Sequence, residues 1–114
     1  MIIENLNKEV KHAIDTELQE FGKWCLVMSN DKSILQIVLY NYNKDLDISI
    51  IEDIGDCISD IIDKFELYNY VTFGSYIEWQ TGNIIFEFGR SLWNNYEGTE
   101  CLYSQYNFIN HFKS

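Results

Sequence analysis

A chain of 114 residues, 46% apolar and 23% charged, is long enough for one domain with its own core and needs no metal or disulfide staples. Its aromatic share of 16% excludes a disordered chain, since such chains are poor in aromatic and β-branched residues. Eighteen acids against eight bases give a net charge of −10, which disfavours direct binding to nucleic acid or an anionic membrane and favours a basic protein partner.

The first segment, residues 2–21, predicts a helix. Leu6, Val10, Ala13, Ile14, Leu18 and Phe21 recur at three- and four-residue steps and share one face. Gly22 is placed to end it in the left-handed conformation that glycine adopts cheaply. Residues 23–29 are short and apolar and read as a strand. Asn30, Asp31 and Lys32 supply turn chemistry, and residues 33–41 read as the partner strand of a hairpin.

A second helix is expected over about residues 48–66, with a strand over 46–51 as the competing reading for its start. Ile50, Ile51, Ile54, Cys57, Ile58, Ile61, Ile62 and Phe65 form its apolar stripe. Gly55 within it costs about 1 kcal/mol relative to alanine. Residues 69–79 and 84–88 predict a second hairpin around the turn 80–83, with Gly74 marking a bulge. Residues 90–99 read as loop, and beyond them a strand over about 101–108 competes with a short helix. Helices mixed with antiparallel hairpins, without βαβ alternation, indicate a single α+β domain spanning residues 1–114.

Searches for catalytic patterns return little. The sequence holds no phosphate-binding glycine loop, zinc-protease helix, nucleophile elbow or calcium loop, and its only arginine is Arg90. The expectation is a protein that is not an enzyme, with no catalytic residues, no metal and no cofactor. Arg90 is expected to pair with a local carboxylate. His12 falls on the first helix and His111 near the end, both in structural roles. Glu78 and Glu87 flank one turn and are the pair that a carboxylate-dependent enzyme would use. Cys25, Cys57 and Cys101 lack metal or disulfide spacing, which fits free thiols in a reducing cytoplasm. Cys25 and Cys57 are expected in the core. The first residues lack the basic-then-apolar pattern of a signal peptide, and no stretch approaches the ~20 apolar residues of a membrane span.

The densest constellation lies on the second helix. Glu52, Asp56, Asp60 and Asp63 step by four, four and three, so they line one face, and Asp53 widens the row. Like charges at that spacing destabilise an isolated helix, and Asp63 near the C-terminus opposes the helix dipole. A row of carboxylates about 6 Å apart, from the ~1.5 Å rise per residue, matches a phosphate backbone in sign and rough spacing. It would suit the cationic groove of a nuclease and speed encounter with it. Tyr68, Tyr70, Trp93 and Tyr96, with Tyr40 and Tyr42, are the candidate aromatic anchors.

In length, acidity, tolerance of cysteine and richness in aromatics and isoleucine, the chain resembles the immunity proteins of bacterial toxin systems, including those of contact-dependent growth inhibition. The resemblance is one of type over the whole chain. It implies a cytoplasmic antidote that binds one cognate toxin domain 1:1 and neutralises it, in many cases a DNase or RNase. Three other readings stand beside it: a nucleic-acid mimic that blocks a DNA-binding protein, a small carboxylate-dependent enzyme, and a subunit of a larger assembly. Exposed strand edges would permit a homodimer.

Overall fold

The computed structural model describes residues 8–40, 42, 45–91 and 98–104. In chain order it has α1 (Lys8–Leu18), β1 (Lys23–Ser29), β2 (Ile34–Tyr40), α2 (Ile48–Lys64), β3 (Thr72–Ile77), β4 (Ile84–Gly89) and β5 (Thr99–Ser104). The five strands form one antiparallel sheet in the order β3-β4-β2-β1-β5. This is the expected α+β architecture. The expected helix residues 2–7 and strand residues 105–108, and His111, lie outside the described residues.

Strand position follows from how many faces are apolar. β1, β2 and β4 are buried along nearly their whole length and take the middle of the sheet. β3 and β5 are half-polar and half-exposed and take the edges. Opposite Gln36 of β2 stands Glu87 of β4, and the Gln36 amide donates to Glu87 Oε1 at 2.7 Å, which fixes the register where the two hairpins meet.

Both helices cover the same face. Val10, Ile14 and Leu18 of α1 and Ile51, Ile54, Ile58 and Ile62 of α2 join Trp24, Leu26, Leu35, Ile37, Leu39, Phe86 and Phe88 in the main core. Full burial of one such isoleucine contributes about 1.5–3 kcal/mol, so packing offsets the modest helix propensity of isoleucine. On the opposite face Cys25, Val27, Val38, Tyr40 and Ile85 form a smaller buried cluster. Tyr40 is therefore a core residue and not an interface anchor.

Local chemistry sets the ends of α2. Asp47 is the N-cap, its carboxylate accepting from Ile50 N at 2.9 Å and from Ser49 Oγ at 2.7 Å. The helix closes when Leu67 N donates to Ile62 O at 2.9 Å and Glu66 N to Asp63 O at 3.1 Å. Glu66 holds the left-handed position of that motif, with φ 49°, where glycine is usual.

Three local expectations are corrected. Gly22 does not have positive φ. What requires glycine there is space: a Cβ would lie 2.8 Å from both the Tyr40 carbonyl oxygen and Tyr42 Cα. No bulge interrupts β3 at Gly74, where the register with β4 runs unbroken from Thr72 to Ile77. The irregularity lies instead between β1 and β5, opposite Leu26 and Val27. Finally, Cys57 is exposed, on the flank of α2 facing Glu17 of α1.

Candidate functional site

α2 buries one side in the core and turns the other outward. Ile51, Ile54, Gly55, Ile58 and Ile62 are buried, whereas Glu52, Asp53, Asp56, Asp60 and Asp63 are all exposed. The helical spacing read in the sequence thus becomes a continuous acidic face. Lys64 closes its C-terminal end, with its Nζ 5.5 Å from the centre of the Phe65 ring.

The four aromatic candidates divide. Tyr70 stands beside the acidic face, near Asp63 and Ser59, and its ring lies edge-on to Phe88. Partial burial and then the Asp63 carboxylate push its hydroxyl above the ordinary tyrosine range. Tyr68 is turned toward the β1–β2 turn, where its hydroxyl donates to Lys32 O at 2.7 Å. Burial pushes it up to about 12, against the opposing effect of the nearby Arg90. Trp93 and Tyr96 lie outside the described residues. Tyr42 is half-buried and donates to Gly82 O at 2.8 Å.

A second surface adjoins the acidic face and was not singled out in the sequence. Between the first turns of α2 and strand β3 lies a cleft of about 310 Å³, lined by Ile48, Ile51 and Glu52 on one side and Ser75, Tyr76 and Ile77 on the other. Two of its apolar lining side chains face outward, Ile48 at 71% and Ile77 at 50% exposure, and Trp79, two residues beyond Ile77 in the chain, is 87% exposed. Exposed apolar residues grouped in this way mark an interaction surface more often than scattered ones do. The signal available in the sequence was the pair Ile77 and Trp79 at the end of a strand before a turn. Which face each takes depends on register, which the sequence does not give.

The carboxylate pair does not assemble. Glu78 stands opposite Asn83 at the turn, its N–H donating to Asn83 O at 2.8 Å. Glu87 lies in the middle of β4, opposite Gly74. Its Oε1 accepts from Gln36 Nε2 and, at 3.1 Å, from the Tyr76 hydroxyl. Arg90 also departs from expectation: its guanidinium donates to the Lys32 carbonyl at 3.3 Å.

The thiols form an arrangement invisible in their spacing. Cys25 of β1 and Cys101 of β5 lie on one face of the sheet as electrostatic neighbours, and the Cys101 thiol donates to Tyr103 O at 3.4 Å. The Cys25 thiol holds exposed Cys101 down at about 7, and the same contact, with burial, raises Cys25. Among the described residues no group of three or more His, Cys, Asp or Glu side chains is placed to hold a metal ion, and no helix is long and apolar enough to cross a membrane.

No protein-family model matches the chain, and neither a curated protein nor a solved structure matches it.

Proposed function

We propose that this protein is a cytoplasmic immunity protein that binds one cognate toxin domain, a DNase or RNase with a basic active-site groove, and neutralises it without chemistry of its own. One observation carries the reading. Five carboxylates of α2 are presented outward on a single helix whose other side is anchored in the core. Rigid anchoring means that little ordering entropy is lost when the charged face meets a partner. The uneven sign of the face favours a cationic groove and accelerates encounter with it.

The test is co-expression of this chain with the product of the gene immediately upstream of its own, which the proposal requires to be a toxin that alone kills the cells. Survival together with a 1:1 complex of the purified proteins is the expected result. Death of the co-expressing cells, with both proteins folded, contradicts the proposal.

The nucleic-acid-mimic reading shares the same physics. It differs in its target, a DNA-binding protein, and the same experiment separates the two because that reading does not require the upstream gene product to be a toxin.

A further inference from the structure

We propose that the open edge of β3 and the cleft beneath it receive an extended segment of a basic protein, which adds to the sheet as a sixth strand and seats one apolar side chain against Ile48, Ile51 and Ile77. That the partner is basic rests on the function proposed above. The strand addition rests on the edge itself.

β3 ends the sheet, so among the described residues one side of its backbone has no strand beside it. The Glu78 N–H bonds to Asn83 on the β4 side. Alternation along an antiparallel strand then turns the N–H and C=O of Ser75 and Ile77 to the open side. Edge strands usually carry a lysine, a proline or a bulge that blocks pairing with another chain. β5, the other edge, has a bulge against β1 and an exposed Glu100. β3, with the sequence TFGSYI, has none of these devices and runs in unbroken register with β4. Its last residue, Ile77, and the adjoining Trp79 are the exposed apolar side chains described above. An edge left both unguarded and apolar is a surface built to be covered.

Charge decides the occupant. Glu52 lines the cleft, and Asp53 and Asp56 follow it on the exposed side of α2. A strand lying along β3 therefore passes an acidic wall, and lysines or arginines two residues to either side of its apolar residue, on the same face, complement it. A second copy of this chain does not fit. Pairing two β3 edges about a two-fold axis sets two acidic helices on the same face of the joined sheet, each on a chain of charge −10.

The probe is a synthetic nine-residue peptide with isoleucine at its centre, lysine two and four residues to either side on the same face, and threonine between them, titrated into the isotope-labelled chain and followed by backbone amide resonances. Its counterpart with glutamate in place of lysine is the control. The expected result is shifts confined to the first turns of α2 and to Ser75, Tyr76, Ile77 and Glu78, with slowed hydrogen exchange at Ser75 and Ile77. Affinity falls at least tenfold for the glutamate peptide and for the Ile77→Lys chain, which alters a half-exposed side chain and whose fold is checked by its amide spectrum. Absence of binding, shifts at β5 or spread over α2, or affinity unchanged in Ile77→Lys overturns the proposal. Self-association of the free chain through β3 overturns it in favour of a second copy. The immunity reading fails separately. Toxin bound equally well by the Ile77→Lys chain leaves that reading standing without the strand addition. Peptide docking at β3 with no toxin bound leaves the edge without the immunity function.

Discussion

Gly55 of α2 rests directly on Ser75 of β3: a Cβ on the glycine would lie 2.7 Å from Ser75 Oγ and 3.1 Å from Phe73 Cζ. The glycine that costs helix propensity is thus the point at which the acidic helix settles onto the edge of the sheet. Gly55→Leu is expected to lower stability by about 2 kcal/mol or more in urea unfolding, because the added volume pushes the helix away. Gly55→Ala should cost less in a Ser75→Ala background than in the parent chain, since the nearest clashing atom is gone. Equal costs in both backgrounds would show that Ser75 does not limit the approach.

Glu66 occupies a left-handed turn position that suits glycine, and its charge opposes the C-terminal end of the α2 dipole. Glu66→Gly is expected to raise stability by about 0.5–1 kcal/mol. A loss measured in the same urea titration would mean that the glutamate side chain supports the turn.

Asp31 organises the β1–β2 turn. Its Oδ1 accepts from Ser33 Oγ at 2.6 Å, Ser33 N at 2.9 Å and Ser29 Oγ at 2.8 Å. The Ser33 and Ser29 hydrogen bonds hold its carboxyl down at about 2. A folded-state value below the unfolded ~3.9 adds stability that is present above pH ~4 and lost as pH falls through about 2. The stability gap between the parent chain and Asp31→Ala should therefore be full near neutrality and narrow across that window. A gap independent of pH would contradict the assignment.

Cys101 is exposed and lowered to about 7 chiefly by the neighbouring Cys25 thiol. Iodoacetamide near neutral pH should modify Cys101 first, then Cys57, and leave buried Cys25 untouched in the folded protein. Replacing Cys25 with alanine removes that neighbour, so the pH midpoint for Cys101 labelling should rise toward ~8.5, the value of an unperturbed thiol. A midpoint that stays in place would assign the reactivity to another cause.

Most of the fold can be read from the sequence because its signals are local. The isoleucine stripe of α2, the Asn30–Lys32 turn and the glycine turn at 82 each specify an element from a few neighbouring residues. What the sequence withholds depends on distant pairing. The meeting of β2 with β4, the contact of Cys25 with Cys101 and the bulge opposite Leu26 are settled by register, and a one-residue slip would reverse them. Cys57 was expected in the core because it falls among isoleucines. The helix turns it just past the buried face, toward Glu17. The site follows the same division. The acidic face is a property of one helix and is visible in its spacing. The cleft beside it joins α2 to β3 across more than twenty residues of chain and becomes visible only in the assembled sheet.

The central claim is that the carboxylates of α2 drive neutralisation of a basic toxin. The most direct measurement is calorimetry of the chain against the product of the gene immediately upstream of its own, at low and high salt, repeated with Asp56→Lys/Asp60→Lys. Both side chains are exposed, so the double variant should fold. The prediction is a nanomolar 1:1 complex that weakens as salt rises, with affinity at least a hundredfold lower and salt dependence much reduced in the variant. Tight binding that ignores both salt and the two substitutions would place the toxin on another surface and refute the account.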